Sequence, residues 1–484
     1  MDRMDITERM NALVHSDRVV TPTGVRPAWV RIENGVIRGV QDTPEPPPIE
    51  HLILDAEDLV LMPGGVDFHT HLDLVVDGVH TADDWKSGSW AALWGGTTTV
   101  VDFAEPGSDG GLMTGLSAQA SRAEGQVVVD LGLHMTVTDA SDLRLAELAE
   151  VVAAGQSSVK AYTAYPGRLM LEYEDLARLL EAAAKLGLRV MVHCEDGHAI
   201  EANIRRARQR GELSARWHAR TRPPETEERA VAQVIGLAET TGAAVHLAHL
   251  STAGGVQSLR QAKARGARVT GETCPQYLWL EEHRLGWEAP AGLCHICAPP
   301  LRTQEHLAAL WQGLVDGTLD AVSTDHCPFD WHGGKDRGLT PDGEDFTRTP
   351  GGLPGVETRL PLVFAGGVAS GRFDLARFVE LVSSGPARLA GLYPQKGAIA
   401  VGSDADLVLF DPDGGTALDV ESLHMDVDHS PYEGLWARGR VVGVMRQGVL
   451  VLADGKVTHD PPPGRLLRRS VIGSTSNAPK GEAS

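Results

Sequence analysis

The chain has 484 residues, enough for one large domain and a smaller one, with 44 lysine and arginine residues against 65 aspartate and glutamate residues. The net charge of −21 opposes general binding of nucleic acids or anionic membranes, because the protein's field repels polyanions. No apolar stretch reaches the ~18 residues of a membrane span, and residues 1–10 contain no apolar signal region. These observations predict a soluble, cytoplasmic protein.

The two ends of the chain share a strand-rich texture. Short alternating strands occupy the first 60 or so residues, where Asn34-Gly35 is a strong hairpin signal. Similar strands return at 405–411 and 440–452. We therefore predict one β-sandwich domain formed from both termini, with residues 1–62 and 394–460 as its two parts.

The middle of the chain, residues 63–393, alternates short apolar runs with helical stretches. The runs lie at 97–103, 127–135, 157–162, 188–193, 243–249 and 319–325, and residues 171–186 have amphipathic helical periodicity. This alternation is typical of α/β proteins and predicts a (β/α)8 TIM-like barrel. Residues 461–484 are rich in proline, serine, glycine and charge, which predicts a flexible tail or an arm that braces a neighbouring subunit.

Two local features receive a structural interpretation. The five cysteines are an odd number in a large chain, which indicates reduced thiols rather than a disulfide framework. A basic run formed by Arg205, Arg206, Arg208 and Arg210 is interpreted as a solvated helix face.

Metal-ligand residue types accumulate at the ends of the apolar runs. His69 and His71 are two residues apart, so in an extended strand both can face one ion. Three further runs end in His193, His249 and Asp325. Because strand ends converge at the catalytic face of a barrel, these residues predict a two-metal site that activates a bridging water.

Lys160 occupies the run at 157–162, where a buried ammonium group would be costly to desolvate. A lysine amine that reacts with carbon dioxide becomes a carbamate, whose two oxygens can each bind one metal ion. Burial of this anion between two cations is no longer penalised. The alternative is an unmodified Lys160 that forms a salt bridge with an aspartate or glutamate.

The chain resembles the cyclic amidohydrolases of the dihydropyrimidinase/hydantoinase group over nearly its whole length. The segments that carry this resemblance are Pro63-Gly-Gly-Val-Asp-Phe-His-Thr-His, Ser158-Val-Lys-Ala-Tyr-Thr-Ala-Tyr, Val192-His-Cys-Glu, Ala248-His-Leu-Ser, Glu272-Thr-Cys-Pro-Gln-Tyr-Leu, Ser323-Thr-Asp-His-Cys-Pro-Phe and Gly355-Val-Glu-Thr-Arg. The resemblance implies metal-dependent ring opening of a small cyclic amide or imide, such as a dihydropyrimidine or hydantoin, to an N-carbamoyl amino acid.

The same resemblance implies roles for individual residues. His69, His71, carboxylated Lys160 and Asp325 would hold one metal, and Lys160, His193 and His249 the other. Zinc is the usual metal, although these ligands also admit manganese, cobalt or iron. Asp325 would accept a proton from the metal-bridging hydroxide and pass it to the departing ring nitrogen, while Tyr165 would support the developing oxyanion. Relatives are commonly tetramers, so a homo-oligomer, either a tetramer or a dimer, is expected.

Two departures from the group's pattern concern substrate binding. Ala298 and Gly351 replace a serine and an asparagine that hold the substrate's amide edge largely through backbone groups. The sequence therefore specifies the class of reaction more closely than it specifies the substrate ring that is opened. Allantoinase-like and dihydroorotase-like hydrolysis stay open as alternatives, as does a non-catalytic scaffold related to dihydropyrimidinase, which the complete set of ligand residues disfavours.

Overall fold

A computed structural model describes residues 11–43 and 52–473. The predictions for residues 1–10 and for the last part of the tail, 474–484, lie outside these ranges. Within them, no helix combines the length and apolar character required to cross a lipid bilayer.

The described chain contains strands at both ends and alternating strands and helices between them. The strands are β1 Ala12–Thr21, β2 Gly24–Glu33, β3 Val36–Gln41, β4 Leu52–Asp55, β5 Val60–Pro63, β6 Gly65–Asp67, β7 Val75–Val76, β8 Val79–His80, β9 Thr97–Ala104, β10 Asp130–Thr136, β11 Ser158–Tyr162, β12 Arg189–His193, β13 Ala244–Leu247, β14 Val269–Thr273, β15 Ala321–Val322, β16 Leu339–Thr340, β17 Gly343–Glu344, β18 Leu407–Ala417, β19 Trp436–Arg446, β20 Val449–Ala453 and β21 Lys456–Val457. The helices are α1 Trp85–Trp94, α2 Leu112–Ala123, α3 Asp142–Ala153, α4 Tyr173–Leu186, α5 Gly197–Gln209, α6 Arg216–Thr221, α7 Pro224–Thr241, α8 Ala253–Ala264, α9 Pro275–Trp279, α10 Ala291–Cys294, α11 Gln304–Val315, α12 Arg359–Gly367, α13 Leu375–Val379 and α14 Gly385–Ala390.

A nine-stranded sheet combines the two ends of the chain, as predicted for the β-sandwich. Its order is β21-β20-β19-β18-β5-β1-β2-β3, with β4 paired to β1. Strand β5 joins the halves, because it pairs with β1 in parallel and with β18 in antiparallel orientation. A separate apolar cluster that includes Val14, Ile32, Leu407 and Met445 packs within this unit.

Eight parallel strands form a nearly closed barrel in the order β6-β9-β10-β11-β12-β13-β14-β15, which confirms the predicted fold class. Strands β9, β10 and β11 are buried along their whole length, as expected when helices cover a parallel sheet. The sequence analysis did not predict strand β14, because its sequence, Val-Thr-Gly-Glu-Thr, is too polar to form an apolar run.

The predicted strand ends also differ from the structure at the ligand residues. Strand β6 ends at Asp67, before His69 and His71, while β13 ends at Leu247 and β15 at Val322. The ligand candidates on these three segments therefore lie in the turns that follow the strands.

A buried arginine completes the barrel between its first and last strands, β6 and β15. Nη1 of Arg359 donates to the backbone oxygens of Val66 at 2.9 Å and Val322 at 3.0 Å, and Nη2 donates to Oγ1 of Thr97 at 2.9 Å. Beyond the strand ends, the backbone nitrogen of Asp325 donates to the backbone oxygen of His69 at 2.9 Å. These contacts bring the last strand's ligand residue beside the first strand's histidines.

Residues 461–473, the part of the predicted tail that the structure describes, pack on the chain's own barrel, and the flexible or subunit-bracing role of the tail stays a prediction. The backbone nitrogen of Leu131 donates to Arg465 at 2.9 Å, and Arg469 donates to the backbone oxygen of Gly155 at 2.7 Å. The backbone groups at the start of the barrel strands need partners, and the polar composition of the segment does not reveal that it supplies them. The boundaries predicted after residues 62 and 393 stay predictions.

Replacement of Arg359 by methionine should destabilise the barrel strongly. The change leaves buried carbonyl groups without donors, each at a cost of about 1–3 kcal/mol, so the free energy of unfolding should fall by at least about 3 kcal/mol. Urea denaturation followed by tryptophan fluorescence measures this loss. Arg438→Met removes a solvent-exposed ion pair to Asp413 and should cost no more than about 1 kcal/mol. Equal unfolding midpoints for the two variants would contradict the role of Arg359.

Candidate functional site

A cavity of about 760 Å³ opens at the carboxyl ends of the barrel strands. The nine residues to which the sequence analysis assigns a role all line it: His69, His71, Lys160, Tyr165, His193, His249, Ala298, Asp325 and Gly351. The fold thus brings together residues that are separated by up to 282 positions in the sequence. Carboxyl strand ends are the usual position of an active site in this type of barrel.

Asp325 lies between the first two histidines. Its Oδ1 atom is 3.1 Å from Nε2 of His69 and 3.1 Å from Nε2 of His71. His69, His249 and Asp325 each offer one ligand atom within 4.8 Å of the other two. Side chains from the turns that follow the first, sixth and last barrel strands therefore converge on one point.

The other two histidines also converge. Nδ1 of His193 lies 2.9 Å from Nε2 of His249. Burial lowers the pKa of His193, and burial together with the neighbouring His193 lowers the pKa of His249 well below its ordinary value. Burial likewise lowers the pKa of His71 to about 4. These imidazoles are neutral at physiological pH and keep the lone pair that a metal ligand requires.

The geometry fits divalent cations. Nε2 of His69 and the Nδ1 atoms of His71 and His249 are buried without a hydrogen-bond partner, a costly state unless a ligand satisfies them. Nε2 of His69 lies 3.1 Å from Oδ1 of Asp325, but the two atoms do not have the geometry of a hydrogen bond. Two ligand atoms held about 2.1 Å from a tetrahedral zinc ion lie about 3.4 Å from each other, close to the spacings seen here.

Lys160 is 1% exposed, and no carboxylate in residues 11–43 and 52–473 forms an ion pair with it. Its Nζ atom lies over the rings of Phe103 and Tyr162, 5.1 and 5.3 Å from their centroids. Burial lowers the pKa of Lys160 to about 8. The salt-bridged alternative from the sequence analysis therefore has no partner in this part of the chain.

Glu272 on β14 is a site residue that the sequence analysis did not assign. Its Oε1 atom lies 2.6 Å from Nδ1 of His69, and Ser323 donates its hydroxyl to Oε2 at 2.6 Å. A carboxylate behind a histidine fixes the ring orientation and the tautomer, so that the opposite nitrogen faces the metal. The sequence signal for Glu272 is the Glu272-Thr-Cys-Pro segment, which carries the family resemblance. Because β14 was not predicted, Glu272 was not placed at a barrel strand end.

Glu195 supports His193 in a similar way. Its Oε2 atom lies 2.8 Å from Nε2 of His193 and accepts a hydrogen bond from Nη1 of Arg222 at 2.5 Å. Although burial alone would raise the pKa of Glu195, the Arg222 guanidinium lowers it to about 2. Glu195 is therefore a carboxylate that can orient the His193 ring.

Three site residues have strained backbone conformations. Tyr165, His249 and Asp325 have φ angles of 66°, 37° and 51°. Residues other than glycine rarely adopt positive φ, and such strain is concentrated at functional sites. The ring of Tyr165 packs 5.3 Å from that of His193, and burial raises the pKa of the phenol to about 12. Tyr165 therefore carries its proton at neutral pH.

Ala298 and Gly351 lie side by side on one wall of the cavity. A Cβ atom added to Gly351 would lie 3.8 Å from the backbone nitrogen of Ala298. Behind this wall, the buried Lys335 donates from Nζ to the backbone oxygens of Ile296 at 2.9 Å and Pro350 at 3.2 Å. Lys335 thus ties together the two segments that present Ala298 and Gly351.

Comparison with known proteins gives one consistent result. Residues 60–451 match the Amidohydrolase family. D-hydantoinase of Streptomyces coelicolor is 38% identical over 449 residues, covering 92% of this chain and 95% of the relative. D-hydantoinase of Geobacillus stearothermophilus is 37% identical over 466 residues, covering 96% and 98%.

Among solved structures, dihydropyrimidinase from Brevibacillus agri superposes with a TM-score of 0.92 at 36% identity, covering 96% of this chain and 100% of that chain. Members of the matched family generally bind divalent metals, in agreement with the ligand geometry above. The chain belongs to the amidohydrolase family, and within it to the dihydropyrimidinase/D-hydantoinase group of cyclic amidohydrolases.

Proposed function

We propose that the enzyme opens a hydantoin or dihydropyrimidine ring by hydrolysis. Water adds to the ring carbonyl, the carbonyl C–N bond breaks, and the products are a carboxylate and a free carbamoyl group on one N-carbamoyl amino acid. The observation that carries the proposal is the buried Lys160 without an ion-pair partner in the described ranges, beside four histidines and an aspartate. The names of the D-hydantoinase and dihydropyrimidinase relatives support the choice of ring.

Carboxylation of Lys160 would supply the bridge between two cations, for which we propose zinc. Because burial lowers the pKa of Lys160 to about 8, a larger share of its side chains carries a free amine at pH 7 than for an ordinary lysine. The free amine adds to the carbon of carbon dioxide and releases a proton. His69, His71, Lys160 and Asp325 would then hold one ion, and Lys160, His193 and His249 the other.

The chain's own residues move the proton and support the developing charge. When bound, the cations would polarise the ring carbonyl and lower the pKa of the attacking water. Although burial acts in the opposite direction, His69 lowers the pKa of Asp325 well below its ordinary value, so Asp325 is available as a base. Asp325 would take the water's proton and return it to the ring nitrogen, while the Tyr165 hydroxyl donates to the oxyanion.

The backbone around Ala298 and Gly351 would hold the amide edge of the ring. Ala298 and Gly351 stand where the group has a serine and an asparagine. This replacement leaves the backbone donors and acceptors in place, and the smaller side chains leave more room in the cavity. The homo-oligomeric state and the cytoplasmic location stay predictions.

A substrate panel tests the reaction and the ring together. Metal-replete enzyme should open hydantoin or dihydrouracil, with the N-carbamoyl product detected by chromatography, and should act more slowly on allantoin and dihydroorotate. A preference for either of the last two substrates would replace the proposed ring specificity by one of the alternatives. Absence of hydrolysis of all four by metal-replete enzyme would contradict the proposed function.

Replacement of Lys160 by alanine removes the bridge. We expect the metal content measured by plasma emission spectrometry to fall well below that of the wild-type enzyme, and turnover to fall to background. Added acetate or propionate should restore part of both, because a small carboxylate can occupy the space of the carbamate. Sodium chloride at equal ionic strength is the control. Normal metal content and turnover in Lys160→Ala would show that the bridge is misassigned.

Replacement of Glu272 by glutamine tests the carboxylate behind His69. The variant keeps the shape of the side chain but loses its charge, so metal affinity measured by competition with a chelator should fall about 10–100-fold. Glu201→Gln is the control, since this acid lines the same cavity and pairs with Arg205 rather than with a histidine. Equal metal affinity in the two variants would exclude the proposed role of Glu272.

A further inference from the structure

One face of helix α5 forms a side of the active-site cavity. The α5 residues that line it are Gly197, Ile200, Glu201, Ile204, Arg205 and Arg208. Their spacing of three and four residues is that of a single helix face. The basic run is therefore divided: Arg205 and Arg208 belong to the cavity, whereas Arg206 and Arg210 do not line it.

The chemistry of this face changes from the metal ligands to the rim. At its beginning, Gly197 packs against Ala164, next to Tyr165, where a Cβ atom would lie 2.9 Å from the Cα atom of Ala164. Ile200 and Ile204 follow, and Arg208 lies about 16 Å farther along the helix axis than Gly197. Arginine side chains lean back toward the helix N-terminus, which turns them into the cavity. The cavity thus offers an apolar middle and a cationic rim.

Charge pairing identifies which rim arginine is available. Arg205 pairs with Glu201 at 3.3 Å, and Arg168 pairs with Asp77 at 3.0 Å. Arg222 is deeper and pairs with Glu195. These cations are neutralised by carboxylates of the chain itself.

Arg208 differs from them. Its Nη2 atom donates to Oγ1 of Thr347 at 2.8 Å, and no carboxylate within the described ranges lies at ion-pair distance from it. A protein of net charge −21 therefore presents on the wall of its active-site cavity a guanidinium that has no direct ion pair among the described residues, although the Thr347 hydroxyl that it contacts also donates to Oδ1 of Asp345 at 2.6 Å. The Thr347 hydroxyl anchors one edge of the group and leaves the other available.

We infer that the enzyme selects cyclic amide substrates whose ring carries an extended apolar substituent ending in an anion, which Arg208 binds. This inference rests on the proposed ring-opening function and specifies its substrate class. The cavity of about 760 Å³ is far larger than a five- or six-membered ring and matches a ligand of drug size. A ring at the metal ligands places its substituent along Ile200 and Ile204, toward the Arg208 guanidinium. A terminal carboxylate there forms a charge-assisted hydrogen bond and remains in contact with solvent.

The test compares two hydantoins of matched shape, 5-(4-carboxybutyl)hydantoin and its neutral amide, 5-(4-carbamoylbutyl)hydantoin. We expect kcat/KM for the carboxylate to exceed that for the amide by roughly ten-fold, mainly through a lower KM, since the interaction is present before and during the reaction. In Arg208→Gln this preference should fall to about two-fold or less. High salt should reduce it in the unmodified enzyme, because the pair is exposed.

Arg206→Gln is the matched control. It removes the same charge from the same helix, but at a position that does not line the cavity, so the preference for the carboxylate should persist. Equal kcat/KM values for the two substrates in the wild-type enzyme would overturn the inference, as would an Arg208→Gln variant that keeps the preference for the carboxylate. In either case the proposed function would stand.

Calorimetric titration of metal-replete enzyme with the same two compounds provides a second measurement. The carboxylate should bind more tightly than the amide to the unmodified enzyme, and Arg208→Gln should abolish the difference. Failure to hydrolyse any hydantoin, with this binding difference intact, would locate the error in the proposed reaction. Equal binding of the two compounds would locate it in the role of Arg208.

Discussion

The site depends on the burial of a lysine amine among histidine side chains. Lys160 is 1% exposed, and none of the carboxylates in the described ranges forms an ion pair with it. Such a cation is costly to desolvate, which is reflected in the lowered pKa of the amine. The proposed conversion of the amine to a metal-binding carbamate would remove this cost, and it would account for the histidines and Asp325 around it. Charge balance therefore connects the position of Lys160 to the metal chemistry of the family.

The histidines are held in position by carboxylates that do not themselves line the metal-facing side. Glu272 orients His69, and Glu195 orients His193 while Arg222 keeps Glu195 ionised. Arg359 contributes from within the barrel, because it joins the strands that precede His69 and Asp325. The precision of the site thus arises from buried hydrogen bonds between neighbouring strands rather than from the ligand residues alone.

The substrate side of the cavity has a different organisation. Lys335 secures the wall that carries Ala298 and Gly351, where the ring is expected to bind. Helix α5 forms another side of the cavity and lines it with apolar and basic residues. All four arginines of the basic run are exposed, as expected for a solvated helix face. That interpretation does not reveal that Arg205 and Arg208 also line the active-site cavity.

The sequence by itself determined the fold class and the candidate ligands. Six apolar runs marked barrel strands, and the residue types His69, His71, Lys160, His193, His249 and Asp325 indicated metal chemistry. Only the tertiary structure decided how these residues are supported. Glu272 lies on a strand without an apolar signature, and its hydrogen bond to His69 joins residues 203 positions apart. Likewise, the tail residue Arg465 packs on the barrel, where its backbone oxygen accepts from Leu131 and its guanidinium pairs with Asp130, 335 positions away in the sequence. Local patterns record burial and periodicity, whereas pairing between distant segments follows from the packing of the whole chain.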